Sequence, residues 1–116
     1  MVFKVLRSAE GDHDTISIFD HLLESYAALG EPRADAAERA AKRLRAINVD
    51  MEALGKNPFQ GTLMPEIAPG LRRVTKSRAV FYFHVDDQQQ LVLVIAVFFG
   101  GQDHLRHIVK RLGGTA

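Results

Sequence analysis

The sequence predicts an α+β fold in the order β-α-α-β-β-β-α, an antiparallel sheet packed against an N-terminal helical hairpin with a short C-terminal helix. Three observations predict it. Two stretches of helical apolar spacing flank Gly30-Glu31-Pro32, three strand signals follow one another between Leu71 and Phe99, and an amphipathic segment closes the chain. The length of 116 residues sets one domain, 1–116, as the expectation. Apolar residues at 47% and charged residues at 25% are a globular composition and argue against disorder. Cysteine is absent, which excludes disulfides, thiolate nucleophiles and cysteine-bound metal. The longest apolar run, Leu91 to Phe99, falls far short of the ~20 residues of a membrane helix. Residues 1–12 lack the apolar stretch of a signal peptide, so a cytoplasmic protein with no membrane partner is expected.

Each element has its own warrant. Residues 2–7 alternate apolar and basic, as an edge strand does. Ser8 is a plausible N-cap for a first helix in which Ile16, Phe19, Leu22, Leu23, Tyr26 and Leu29 form the apolar stripe. Gly11 weakens its opening turn by about 1 kcal/mol relative to alanine, which favours a start nearer Asp12 or Asp14. Gly30 ends that helix and Pro32 opens the next. The second stripe is Ala37, Ala41, Leu44, Ile47, Met51 and Leu54, and Arg39, Lys42, Arg43 and Arg45 read as its solvated face. Residues 56–70 form a loop punctuated by proline and glycine, and its Phe59, Leu63, Met64 and Ile67 pack on the core. Three strands follow at Leu71–Lys76, Ala79–Val85 and Leu91–Phe99, with antiparallel pairing the natural topology for short links. The strict alternation of the last strand puts Leu91, Leu93, Ile95, Val97 and Phe99 on one face, and Val92, Val94, Ala96 and Phe98 on the other. Gly100-Gly101 releases it, and residues 102–112 carry Leu105, Ile108, Val109 and Leu112 at helical spacing. A helix of about three turns is a small lid for the sheet's second face, so bare apolar surface for a partner is expected there.

The two halves of the chain differ in charge. Residues 1–54 are net −3 and residues 55–116 net +4, with Arg72, Arg73, Lys76 and Arg78 contributing four cations within seven residues. An anionic partner is the function class this favours.

Several ordered strings resemble the RelE/ParE superfamily of bacterial toxins from toxin–antitoxin modules. They are Ser8-Ala9 leading into the first helix, Pro58-Phe59-Gln60-Gly61, Pro69-Gly70-Leu71-Arg72-Arg73-Val74, and Phe81 to Asp87 followed by Val94 to Phe98. The resemblance implies a plasmid-stabilisation type of toxin, held inactive by a cognate antitoxin protein with a partly disordered acidic segment. RelE-like members cut messenger RNA on the ribosome, whereas ParE-like members are taken to inhibit DNA gyrase. The shared fold does not choose between them.

Metal-free RNA cleavage needs a base, an acid and cations around the phosphate. Arg72 resembles the arginine of the RelE-type catalytic set. Those enzymes also carry a basic residue after the last strand, where this chain has Phe99-Gly100-Gly101-Gln102, and a late tyrosine or histidine, where it has no tyrosine after Tyr82. A nuclease would therefore use Arg72, Lys76, His84 and His104, with His84 expected on the face of Arg72. The leading expectation is the ParE-like one, a protein that binds gyrase through Arg72, Arg73, Lys76, Arg78, His104 and Arg106. Val80, Tyr82, Val92, Val94 and Phe98 are then the expected antitoxin contacts. The alternative partners are ribosome and mRNA, and a third reading is a toxin fold that has lost toxicity. No cofactor is expected. Asp103, His104 and His107 make too weak a pattern for a metal, and Gly100-Gly101 lacks the residues of a phosphate loop.

Overall fold

The computed structural model describes residues 2–100 and 104–113. Strand β1 (Lys4–Arg7) leads into α1 (Ala9–Ala28) and α2 (Arg33–Glu52), which a 3₁₀ turn, Ala53–Lys56, closes. Strands β2 (Thr62–Leu63), β3 (Arg72–Lys76), β4 (Ala79–Asp86) and β5 (Leu91–Phe99) follow, then α3 (His104–Arg111). The sheet order is β1-β5-β4-β3-β2. Strands β3 to β5 pair antiparallel as expected and β2 adds antiparallel to β3, but β1 joins β5 in parallel, Lys4 opposite Leu91. The sheet is therefore mixed rather than antiparallel. Parallel neighbours require a long crossover, and here nearly the whole chain serves as one. Strand β2 is too short to read from the sequence and lies in the segment expected to be loop.

Ser8 caps α1 as expected, its Oγ accepting from the Gly11 N–H at 3.0 Å. Gly11 lies inside the helix because the helix presses on the sheet there. A Cβ at Gly11 would stand 2.9 Å from the Val94 carbonyl oxygen. Close approach outweighs the propensity cost that favoured a later start. It also rotates the helix. Gly11, Thr15, Ile18 and Leu22 are buried, whereas Ile16 and Leu29 of the expected stripe are 57% and 77% exposed. In α2 the buried set is Ala36, Ala40, Ile47 and Met51, one position from the expected Ala37 and Ala41.

The two faces of the sheet carry separate cores. Against the hairpin lie Phe81, Phe83, Val92, Val94 and Val97, packed with Ile47, Met51 and Leu54. On the outer face Leu71, Val80, Tyr82, Ile95, Ala96 and Phe98 pack with Ile108 of α3 and with Met64, Ile67 and Ala68. Strict alternation in β5 fails at one residue. The register steps from Phe83–Val94 to Tyr82–Ala96, and Ile95 is the extra residue of a β-bulge. Val97 and Phe99 thereby turn to the hairpin face with Val92 and Val94.

The outer face is not bare under α3. Val80, Tyr82, Ile95, Ala96 and Phe98 are all buried. The roof is shared: α3 supplies Ile108 and the rings of His104 and His107 over Phe98, and the loop before β3 supplies Met64, Ile67 and Ala68. Leu105, Val109 and Leu112 of the expected α3 stripe stay exposed, because Ile108 is the residue of that stripe that turns to the sheet. The expected start of this helix at Gln102, and the Gly101 of the release turn, lie outside the described residues.

Candidate functional site

The cations of the meander do not form one patch. In β3 the residues alternate across the sheet. Arg72 and Lys76 pair with Phe83 and Ala79, which face the hairpin, and Arg73 pairs with Tyr82, which faces outward. Arg72 is held locally: its Nη1 donates to the Phe59 carbonyl at 2.7 Å and its guanidinium lies 5.4 Å from the Phe59 ring centroid. His84, in register with Leu93, shares the face of Tyr82 and not that of Arg72, so the expected Arg72–His84 grouping does not form.

The outer face gathers a different set. The Tyr82 hydroxyl hydrogen-bonds His104 Nδ1 at 2.9 Å, and the Arg73 guanidinium lies 6.0 Å from the Tyr82 ring centroid. Burial pushes the Tyr82 phenol above its ordinary value, with the Arg73 charge opposing. Burial pushes the His84 imidazole below its ordinary value, and a hydrogen bond with the Gly70 backbone opposes that. His104 hydrogen-bonds a tyrosine, and Asp103, the carboxylate of the pattern judged too weak for a metal, lies outside the described residues. Among the described residues no group of three or more His, Asp or Glu could hold a metal ion. Arg106 is exposed on α3.

Asp14 and Arg111 fix how α3 sits. Arg111 donates to both carboxylate oxygens of Asp14, at 2.6 and 2.9 Å, and its Nη1 also donates to the Ile95 carbonyl at 3.0 Å. The Val97 N–H donates to Asp14 Oδ2 at 2.9 Å. The bulge and the end of β1 leave these β5 backbone groups without strand partners, and the ion pair satisfies them. The Asp14 hydrogen bond, working against burial, holds the Arg111 guanidinium above its ordinary value.

A cationic cleft on the hairpin side escaped the sequence reading. It has a volume of ≈ 770 Å³ and opens between α1, α2 and the β3–β4 turn, over a floor of Leu22, Ala46 and Phe99. Arg39, Lys42, Arg43 and Arg78 line it, and no acidic residue does. The guanidiniums of Arg43 and Arg78 lie 5.2 and 5.7 Å from the Phe99 ring centroid, and that of Arg39 lies 4.1 Å from the ring centroid of Tyr26. Arg43 also donates to the Ser77 carbonyl at 2.7 Å, tying α2 to the turn. Of the expected target-binding cations only Arg78 belongs here. The basic run on α2 read as a solvated face, and nothing in its spacing shows that a sheet edge stands opposite.

The five apolar positions expected to meet a partner are buried by the chain itself. Val92 and Val94 lie beneath the hairpin, and Val80, Tyr82 and Phe98 beneath α3 and the loop before β3.

The chain matches no protein-family model and no curated protein. Solved structures do match. One is the chromosomal ParDE toxin–antitoxin system from P. aeruginosa, at a TM-score of 0.63 and 20% identity, over 85% of this chain and 97% of that one. Another is the toxin–antitoxin complex RelBE2 from Mycobacterium tuberculosis, at a TM-score of 0.58 and 12% identity, over 85% and 99%. The fold implied by the RelE/ParE resemblance is thus the fold observed. No helix among the described residues is long and apolar enough to cross a membrane.

Proposed function

We propose that this chain is the toxin of a type II toxin–antitoxin module, of the ParE-like kind that inhibits DNA gyrase by binding it, and that a cognate antitoxin neutralises it. One observation carries the choice of binding over RNA cleavage. The residues a nuclease would use are split by the sheet, Arg72 and Lys76 facing the hairpin, His84 and His104 the other side. A proton-transfer pair and its cations must converge on one phosphate, and a sheet between them prevents that. The likeness to the ParDE and RelBE2 structures supports the toxin–antitoxin part of this reading and is neutral on the choice between binding and cleavage.

The test is supercoiling by purified gyrase with the protein in stoichiometric excess. Loss of supercoiling is the expected result, and full supercoiling overturns the proposal. A second reading is a ribosome-dependent endoribonuclease, and the outer-face grouping of Arg73, Tyr82, His84 and His104 favours it. Tyr82 has no exposed surface, so α3 would have to lift before RNA could reach its hydroxyl. Transcript ends mapped after brief expression separate the two, because only the nuclease leaves cuts within codons.

A further inference from the structure

We infer that the cleft between the helical hairpin and the β3–β4 turn is a binding site for a short acidic peptide segment of a partner protein, whose carboxylates meet Arg39, Lys42, Arg43 and Arg78 while an apolar side chain rests on Phe99. Charge is the first support. Four cations line the cleft without an acid among them, and Lys42 makes no ion pair among the described residues. The guanidiniums of Arg43 and Arg78 over Phe99, and of Arg39 over Tyr26, gather charge on the cleft wall, and a carboxylate is the group a guanidinium takes by two hydrogen bonds.

Backbone strain is the second, independent support. The turn between β3 and β4 consists of Ser77 at φ 50° and Arg78 at φ 70°. A two-residue hairpin turn of this hand favours Asn-Gly. An arginine in the left-handed region is uncommon, and such outliers concentrate where a side chain must be aimed. Here it is aimed at the cleft.

A nucleic acid fits less well. The helices around the cleft carry Asp20, Glu24, Asp35 and Glu38, all exposed, and Glu31 already holds Arg39 at 2.9 Å. A backbone with a phosphate at every step would run onto those carboxylates, whereas a short acidic segment ends within the cationic island. As the seat of an antitoxin's acidic segment the cleft rests on the reading above. Peptide binding is measured without gyrase or RNA, so the two proposals fail separately.

The probe is a fluorescein-labelled octapeptide of alternating Glu and Leu, followed by anisotropy against its Gln/Leu counterpart and a labelled thymidine oligonucleotide of equal length. The Glu/Leu peptide is expected to bind about tenfold or more tighter than either control, and Lys42→Glu and Arg78→Glu each to weaken it about tenfold. Lys110→Glu on α3 leaves it unchanged. Arg78→Gly relieves the left-handed backbone, so it is expected to raise the melting temperature while weakening the peptide. The proposal is overturned if the Gln/Leu peptide or the oligonucleotide binds as tightly, if Lys42→Glu and Arg78→Glu change nothing, or if Arg78→Gly stabilises the fold with binding intact.

Discussion

The two faces of the sheet are roofed by different physics. The hairpin face lies under two helices of 20 residues each, and in its core Phe81, Phe83, Ile47 and Met51 have no more than 1% of their surface exposed. Apolar burial is the main force on such a roof, at roughly 25 cal/mol per Å². The outer face lies under a helix of eight residues that contributes one buried side chain, Ile108. A helix that short is marginal by itself. Its position is set by the Arg111–Asp14 pair, fastened to backbone groups of β5 that the bulge leaves open. One roof is held by area and the other by a polar anchor, so they should give way to different perturbations.

The largest effect should come from the first roof. Phe81→Ala is expected to cost about 3–5 kcal/mol in urea unfolding and to destabilise the molecule as a whole. Asp14→Ala is expected to cost about 2 kcal/mol, since it strands the Val97 N–H and leaves Arg111 with only the exposed Glu10 carboxylate, 3.1 Å from its Nε, as an acidic partner. Its signature is local: amide protection should fall in α3 more than in α1. Asp14→Asn, which keeps an acceptor for Val97, should cost less. If α3 keeps its protection in Asp14→Ala, area holds both roofs and the contrast is wrong. Ile108→Ala should cost about 2 kcal/mol, because a short helix can settle into the space it leaves.

The smallest effect is the pH response of the outer face. Burial lowers the folded-state value of His84 below its ordinary 6.5. The unfolded chain therefore takes up a proton first as pH falls, and stability drops on going below about 6.5. His84→Gln should flatten that slope, and an unchanged slope would show that the outer face is too open to desolvate an imidazole.

Much of this architecture is legible in the sequence, for reasons visible in particular residues. Ser8 marks a helix start because its hydroxyl can accept from a backbone N–H, and Gly30 and Pro32 mark the break by what they allow and forbid. The phase of α1 is not legible. Gly11 and Asp14 face inward to meet the backbone of β5, and a periodicity built on apolar residues counts neither. The bulge at Ile95 is hidden because an all-apolar strand carries no polar residue to mark the slip. Arg111 suits the negative end of a helix dipole, but its partner Asp14 lies 97 residues away along the chain. The cleft is hidden for the same reason. Its cations come from α2 and from a turn that only the folded sheet brings alongside.

The parallel seam between the first strand and the last has a consequence for biosynthesis. The hydroxyl of Ser8 finds the carbonyl of Ile95 87 residues downstream. At translation rates of about 5–20 residues per second, the amino-terminal strand and the helices behind it wait about 4–17 s for the strand that completes them. Until that strand leaves the ribosome the growing polypeptide has no finished sheet, so the amino-terminal strand and the helical hairpin expose their sheet-facing side chains until the segment through Phe99 has been made.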